Sequence, residues 1–291
     1  MTPSGLFGMS VKLVLDRLGR TFATFDARSQ DSGHISYGVI DADGRRWFVK
    51  TAGDDVDSPG GATRQERAAT LRHAAALQEA LDHPALVPLE AVIEASDGVL
   101  IVHPWFSGEL LRSPTERRDD PDEAYSRFRA LPMPEIAAAL DTVIDFHVTL
   151  ERSCWIAGDF YDGCLLYDFD TRQIKVIDLE AYHYGPYING VGRLPGSTRF
   201  MAPRSTPRGA LITAHTTVYN LGRMLEIFLA RNLPHPGLET VIARATSKEP
   251  ERRPPSVAAL QKEWRSSLAQ DSSGAISGVA TVDPAGREAE L

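Results

Sequence analysis

Gly158-Asp159-Phe160-Tyr161-Asp162-Gly163-Cys164-Leu165-Leu166-Tyr167, followed by Ile174-Lys175-Val176-Ile177-Asp178-Leu179-Glu180, is the stretch on which the reading of the chain turns. The first segment sets an acid in a tight loop ahead of a short apolar strand, where a carboxylate is held out to accept a proton from a hydroxyl. The second is an apolar strand ending on Asp178 and Glu180. Carboxylates just past a strand end suit Mg²⁺, a hard cation that prefers oxygen. Each segment alone has a plainer reading, because aspartate favours turns. An order of helix, acidic loop, strand, turn, strand and acid carries more than either part.

The helix in that order comes from Ile136, Leu140, Val143, Ile144, His147 and Leu150, which share one helical face. Downstream, Val218, Leu221, Leu225, Phe228 and Leu229 repeat the pattern, and shorter helices are predicted over 238–245 and 257–264. The first third reads as sheet instead. Residues 21–25 and 35–40 alternate, Asp43-Gly44 signals a tight turn, and 46–50, 87–93 and 99–103 complete a five-stranded set. A polar linker over 54–62 leads to a helix over 63–81. One strand closes on Trp47-Phe48-Val49-Lys50. A lysine there has a stem to bury and a charge that needs an anion, unless it simply reaches to water at an edge.

The chain has 291 residues, enough for two lobes, with 43% apolar and 24% charged side chains, which excludes wholesale disorder. Its net charge of −8 offers no overall cationic field, so neither nucleic acid nor an acidic membrane surface is an expected partner. Cys154 and Cys164 cannot build a disulfide framework, and residues 1–20 show no signal peptide, so a cytoplasmic location is expected. No uninterrupted apolar run approaches the ~18 residues of a membrane-spanning helix. Residues 268–291 lack a periodic apolar face and are expected to be a disordered tail.

These segments resemble the protein-kinase-like superfamily, and within it the bacterial, actinobacterial-type serine/threonine protein kinases, in degenerate form. Phe48-Val49-Lys50 is similar to the Val-Ala-Ile-Lys strand, and His83-Pro84-Ala85-Leu86-Val87 to the His-Pro-Asn-Ile-Val signal. Asp159 stands in the place of the catalytic-loop aspartate and Asp178 at the start of Asp-Phe-Gly. Gly196-Ser197-Thr198-Arg199-Phe200-Met201-Ala202-Pro203 resembles the end of an activation segment, Thr217-Val218-Tyr219-Asn220-Leu221-Gly222 the start of helix αF, and Glu249-Pro250-Glu251-Arg252-Arg253-Pro254 the Asp-Pro-x-x-Arg-Pro element. The resemblance implies an α+β, two-lobed fold, with an antiparallel-sheet N-lobe over 1–103, including helix αC, and a mainly helical C-lobe over 104–267. It also implies transfer of the γ-phosphate of Mg-ATP to a hydroxyl on a protein or small-molecule acceptor. In that scheme Asp159 is the base, Lys50 holds phosphates, Glu66 is the αC acid, Asp178 and Glu180 hold Mg²⁺, and Gly33, Pro104 and Phe106 bound the nucleotide.

The departures are specific. Of the phosphate-loop glycines only Gly33 is present, with Arg28 and Gln30 in place of smaller residues. Ala157-Gly158 replaces His-Arg, and Cys164 replaces the metal-binding asparagine although a thiol is a poor Mg²⁺ ligand. Counting back from Pro84 places the αC acid near Ala74, which has no carboxylate, whereas counting on from Lys50 places it at Glu66. Arg204 replaces the glutamate that pairs with the arginine matched by Arg253, so either another carboxylate serves there or the segment sits differently. The alternative these departures leave open is a pseudokinase, a nucleotide-binding or interaction module without turnover.

Overall fold

The computed structural model describes residues 8–27, 32–54, 62–190, 192, 196–230 and 236–276. Arg28 and Gln30, most of the 54–62 linker, and the tail beyond 276 lie outside the described residues. The chain is α+β, with antiparallel sheets and, among the described residues, seven α-helices. None of those helices is long and apolar enough to cross a membrane.

Strands β1 (Arg20–Phe25), β2 (Ile35–Ile40), β3 (Arg46–Thr51), β4 (Ala91–Ala95) and β5 (Gly98–Pro104) form one sheet in the order β1-β2-β3-β5-β4. The β2–β3 turn is set by Asp41. Its carboxylate accepts from the backbone N–H of Asp43 and Arg45, at 3.0 and 2.8 Å, and from Trp47 Nε1 at 2.9 Å. Strand alternation then sorts the faces. Val39, Val49 and Val102 meet Val14, Leu15 and Leu18 of helix α1 (Val11–Leu18), while Val99 and Ile101 meet Ala68, Leu71 and Ala75 of helix α2 (Arg64–Glu79).

Helix α1 is an addition to the sequence reading. Ser10 caps it, and it stops at Gly19, where φ is +152° and a Cβ would lie 2.1 Å from the Ile40 carbonyl oxygen. Strand β4 begins later than the expected 87, because Pro88 has no N–H for the ladder and its carbonyl instead meets His103 Nδ1 at 3.0 Å.

Helices α3 (Ala124–Arg129), α4 (Met133–Arg152), α5 (Ala214–Leu229), α6 (Pro236–Ala245) and α7 (Val257–Ile276) surround a separate, larger core that includes Phe128, Ile136, Leu140, Val143, Phe228 and Trp264. Ala74 and Leu77 of α2 reach into it, so α2 serves both cores. The expected tail is corrected at its start. Helix α7 runs on to Ile276, because Leu268 packs against the core and extending a formed helix is far easier than nucleating one.

Short strands complete the arrangement: β6 (Glu109–Leu110), β7 (Trp155–Ala157), β8 (Leu165–Asp168), β9 (Gln173–Val176), β10 (Tyr182–Tyr184), β11 (Tyr187–Ile188) and β12 (Leu211–Ile212). All pair antiparallel: β6 and β9 flank β8, β7 pairs with β10, and β11 with β12.

Candidate active site

Two pairings bring the acidic loops together. Strand β8 pairs with β9 so that Leu165 faces Val176, and β7 pairs with β10 so that Ala157 faces Tyr182. The loop after β7 and the loop after β9 must therefore run side by side. The Ile177 N–H donates to the Cys164 carbonyl at 2.9 Å, and the Gly158 N–H to the Ala181 carbonyl at 3.3 Å. Asp159 and Asp178 are carried on these two loops. The charges of both reach Cys164, Tyr161 and Tyr182, whose ionisation they and burial oppose.

The third element is β3. Register sets Lys50 opposite Ser36 on β2 and Ile101 on β5, on the face away from α1. Its ammonium lies 2.7 Å from Asp178 Oδ1 and 2.6 Å from Glu180 Oε1. Lys50 and Asp178 are 128 positions apart, so tertiary folding alone joins them. Burial works against the lysine's charge, yet the two carboxylates outweigh it and hold the ammonium above the usual lysine range. Burial likewise raises Glu180, but Lys50 wins and keeps its carboxyl below the usual value. Asp178 has φ +60° and ψ +55°, a left-handed conformation that aspartate tolerates better than most residues, at a strain of about 1–2 kcal/mol.

Glu66 is not part of this cluster. Its carboxylate accepts from the Thr63 N–H at 2.7 Å and from Thr63 Oγ1 at 2.8 Å, while Thr63 Oγ1 accepts from the Glu66 N–H. This capping box starts α2, and the acid beside Lys50 is Glu180 instead. The expectation that Glu66 pairs with Lys50 is therefore corrected. The missed signal was Thr63-x-x-Glu66 just before the helical run. At Arg253 the backbone takes the place of a paired carboxylate: the guanidinium donates to the carbonyls of Ser247, His215 and Lys248 and stacks over Tyr219, with the charges of Glu251 and Glu249 within reach.

Gly33 opens β2 at φ +77°, and its carbonyl is so close to Gly53 that a Cβ there would lie 2.3 Å away. Pro104 ends β5 opposite Trp47, and Phe106 packs its ring against Gly108 in the connection to β6. Between them Trp105 joins an aromatic cluster that the sequence reading overlooked. Its ring lies 5.0 Å from Phe22 and 6.5 Å from Phe25, and Phe25 lies 6.3 Å from Phe48. Phe22 occupies a bulge in β1, and its ring tip fills the space where Gly38 lacks a Cβ.

The described parts of residues 182–200 cover Asp159 at Gly196, with Tyr187 beside it over Gly158. A Cβ on Gly196, at φ +92°, would lie 2.2 Å from Asp159 Oδ1, so backbone rests directly on the carboxylate. The Tyr187 hydroxyl lies over Gly158, and burial together with Asp159 pushes it up to about 12. Cys164 is fully buried, with its thiol 3.6 Å from the Asp159 carbonyl, in a packing role rather than as an open ligand. Helix α5 holds the far end of the segment: Asn220 Nδ2 donates to the Phe200 carbonyl and Arg223 Nε to that of Arg199, each at 2.7 Å.

The donor set Lys50, Asp178 and Glu180 is of the kind that a metal-bound phosphate would need. Among the described residues no group of three or more His, Cys, Asp or Glu side chains could hold a metal by themselves. Mg²⁺ asks for less: one or two carboxylates, with phosphate and water oxygens completing its shell. Asp178 and Glu180 are the carboxylates that would hold such an ion, and Lys50 between them, now paired with both, is the cation that would face its phosphates. The Phe22, Phe25, Phe48 and Trp105 rings pack on one another, with the Arg46 guanidinium over Phe22 and Trp105.

Buried imidazoles give the fold a pH-dependent stability. Burial first, with Lys50 adding to it for His34, lowers His34 and His147 each to about 4. The unfolded chain takes up these protons below about pH 6.5 while the folded chain does not, so stability rises with pH between those limits. The contribution is complete above pH 6.5 and falls away toward pH 4, by a few kcal/mol for the pair. Urea unfolding at pH 7.5 and pH 5 checks this, with a lower midpoint expected at pH 5. Equal midpoints would mean that neither ring is held neutral.

Compared with known proteins, the chain matches no protein family and no curated protein.

Proposed function

We propose that the chain is a protein-kinase-like, ATP-dependent phosphotransferase acting on a hydroxyl acceptor. In this reading the sheet and α2 form an N-lobe over 1–103, the helical part a C-lobe over 104–267, and the nucleotide lies between them. One observation carries it: an ammonium buried on a strand of the sheet meets carboxylates delivered by a loop of the helical part, 2.7 and 2.6 Å away. Phosphoryl transfer asks the protein mainly for position and charge neutralisation. Lys50 supplies the cation toward phosphates, Asp178 and Glu180 the oxygens toward Mg²⁺, and Asp159 the base at the acceptor hydroxyl. Mg-ATP would supply the transferable phosphoryl group. Gly33, Pro104 and Phe106 border the nucleotide, with Trp105 and its ring partners as the surface for the base.

A second reading, a nucleotide-binding or interaction module without turnover, is favoured by one observation. The Gly196 backbone sits against Asp159, where an acceptor hydroxyl would have to approach. The transferase requires nucleotide binding, and so does a nucleotide-binding module. Mg-ATP at a hundredfold excess over its Kd is expected to stabilise the chain by about 2.7 kcal/mol and raise the melting temperature by on the order of 5 °C. No shift at millimolar Mg-ATP would defeat the transferase and the nucleotide-binding module, and leave only an interaction module. A shift together with phosphate release to an acceptor supports the transferase, and a shift without turnover supports the module.

A further inference from the structure

Residues 196–200 are held from two sides, and the two holds differ in kind. On one side helix α5 grips their backbone, with Asn220 on the Phe200 carbonyl and Arg223 on the Arg199 carbonyl. Phe200 is itself fully buried and belongs to the larger core, and Asn220 is buried beside it. This end is an anchor, made of apolar packing and of hydrogen bonds to backbone shielded from water.

On the other side a single side chain reaches the loop that carries Asp159. The Arg199 guanidinium donates to Asp162 Oδ2 and to the Tyr125 hydroxyl, each at 3.1 Å. Asp162 stands three positions after Asp159 and is 1% exposed, and Tyr125 on α3 is buried as well. The guanidinium is therefore seated between the Asp159 loop and the helical core. Burial raises the Asp162 carboxyl above its usual range, and the Arg199 charge is the strongest influence opposing it, ahead of Arg112 and Arg118. Among the described residues Asp162 Oδ1 is buried with no hydrogen-bond partner, so Arg199 is the side chain that hydrogen-bonds this acid.

Gly196, three positions before Arg199, lies with its backbone on the Asp159 carboxylate: a Cβ there would stand 2.2 Å from Oδ1 and 2.9 Å from Oδ2. Cover and ion pair thus share one short stretch of chain, and both close on the same loop.

We propose that the Arg199–Asp162 pair is a latch that holds Gly196 against Asp159, so that the free chain keeps this carboxylate closed and opens it when that one pair parts. What the opened carboxylate does rests on the phosphotransferase reading, but the closure is measurable without turnover. A charge-assisted hydrogen bond to a buried acid biases such an equilibrium about tenfold to a hundredfold. Because α5 keeps its grip on Phe200, losing the latch frees the residues ahead of the anchor and leaves the core folded.

The test labels the full chain with a water-soluble carbodiimide and glycine ethyl ester, which convert an accessible carboxyl into an amide. Mass spectrometry reads Asp159 against exposed Glu79. Arg199→Met and Asp162→Ala are each expected to speed labelling of Asp159 about tenfold to a hundredfold. The double variant should go no faster than the faster single one, because either change parts the same pair. Arg72→Met, which breaks an exposed pair with Glu94, should leave Asp159 at the parent rate. An unchanged rate in both latch variants overturns the proposal, as do additive gains in the double variant or an equal rise at every buried carboxyl. If Arg199→Met does not fold, Asp162→Ala decides alone, since it removes a buried charge rather than orphaning one. The Mg-ATP melting shift and phosphate release to water or glycerol are followed in the same variants. Faster labelling with greater release supports latch and transferase together, whereas faster labelling without release leaves the latch standing and turns the reading toward the module.

Discussion

Replacing Lys50 with methionine is expected to abolish stabilisation by Mg-ATP and to destabilise the free chain as well. The Lys50 side chain is 8% exposed and Glu180 14%, so removing the ammonium leaves a buried carboxylate with no counter-charge. Breaking a buried pair from one side costs about 3–5 kcal/mol. The low end applies here, because Asp178 is 44% exposed and recovers water once released. Two consequences separate this from a generic packing defect. Adding Glu180→Gln to the methionine variant should restore part of the lost stability, because the orphaned charge is gone. It should restore none of the nucleotide response, because the cation toward phosphate is still missing. Urea unfolding of the four-member cycle measures the first and thermal shift the second. A methionine variant that is as stable as the parent and still responds to Mg-ATP would remove Lys50 from the site.

The meeting of Lys50 with Asp178 was legible because each closes a strand whose alternation or apolar run is plain, whereas Asp159 was read only as an acid in the loop ahead of β8. Glu66 was misread for an equally local reason. Spacing from Lys50 places an acid one helix away, but it cannot tell a carboxylate that crosses to another element from one that turns back on its own N-terminus. Only the threonine three positions earlier carries that information. The partner of Lys50 came instead from a turn, Glu180, whose direction depends on the left-handed backbone at Asp178. No composition rule anticipates that conformation. The Phe22, Phe25, Phe48 and Trp105 cluster was hidden for a similar reason: a bulge in β1 moves Phe22 off the strict alternation by which faces are assigned. Helix α1 is only eight residues long, too short for periodicity to stand out, and depends on the sheet it covers.

Asp159→Asn is the change expected to separate chemistry from binding most sharply. Asparagine keeps the shape of the side chain under Gly196, so the segment above it has no new clash to relieve. What it loses is the ability to take a proton from an acceptor hydroxyl, and general-base assistance of this kind is worth about 10²–10⁴-fold in rate. Turnover should fall by that factor while the Mg-ATP melting shift stays, because Lys50, Asp178 and Glu180 are untouched. A second, activity-independent consequence follows from Tyr187, which burial and the Asp159 charge hold near 12. With that charge removed, the phenol should ionise at lower pH, as followed by ultraviolet titration against Tyr187→Phe. If the tyrosine moves and turnover does not, Asp159 is close to the segment but is not the base. If both proteins bind Mg-ATP and neither turns over, the covering segment is the resting state of a module whose role is binding. Turnover lost with the melting shift retained, by contrast, would mean that Gly196 yields in the working enzyme, because a carboxylate kept under backbone has no route to an incoming hydroxyl.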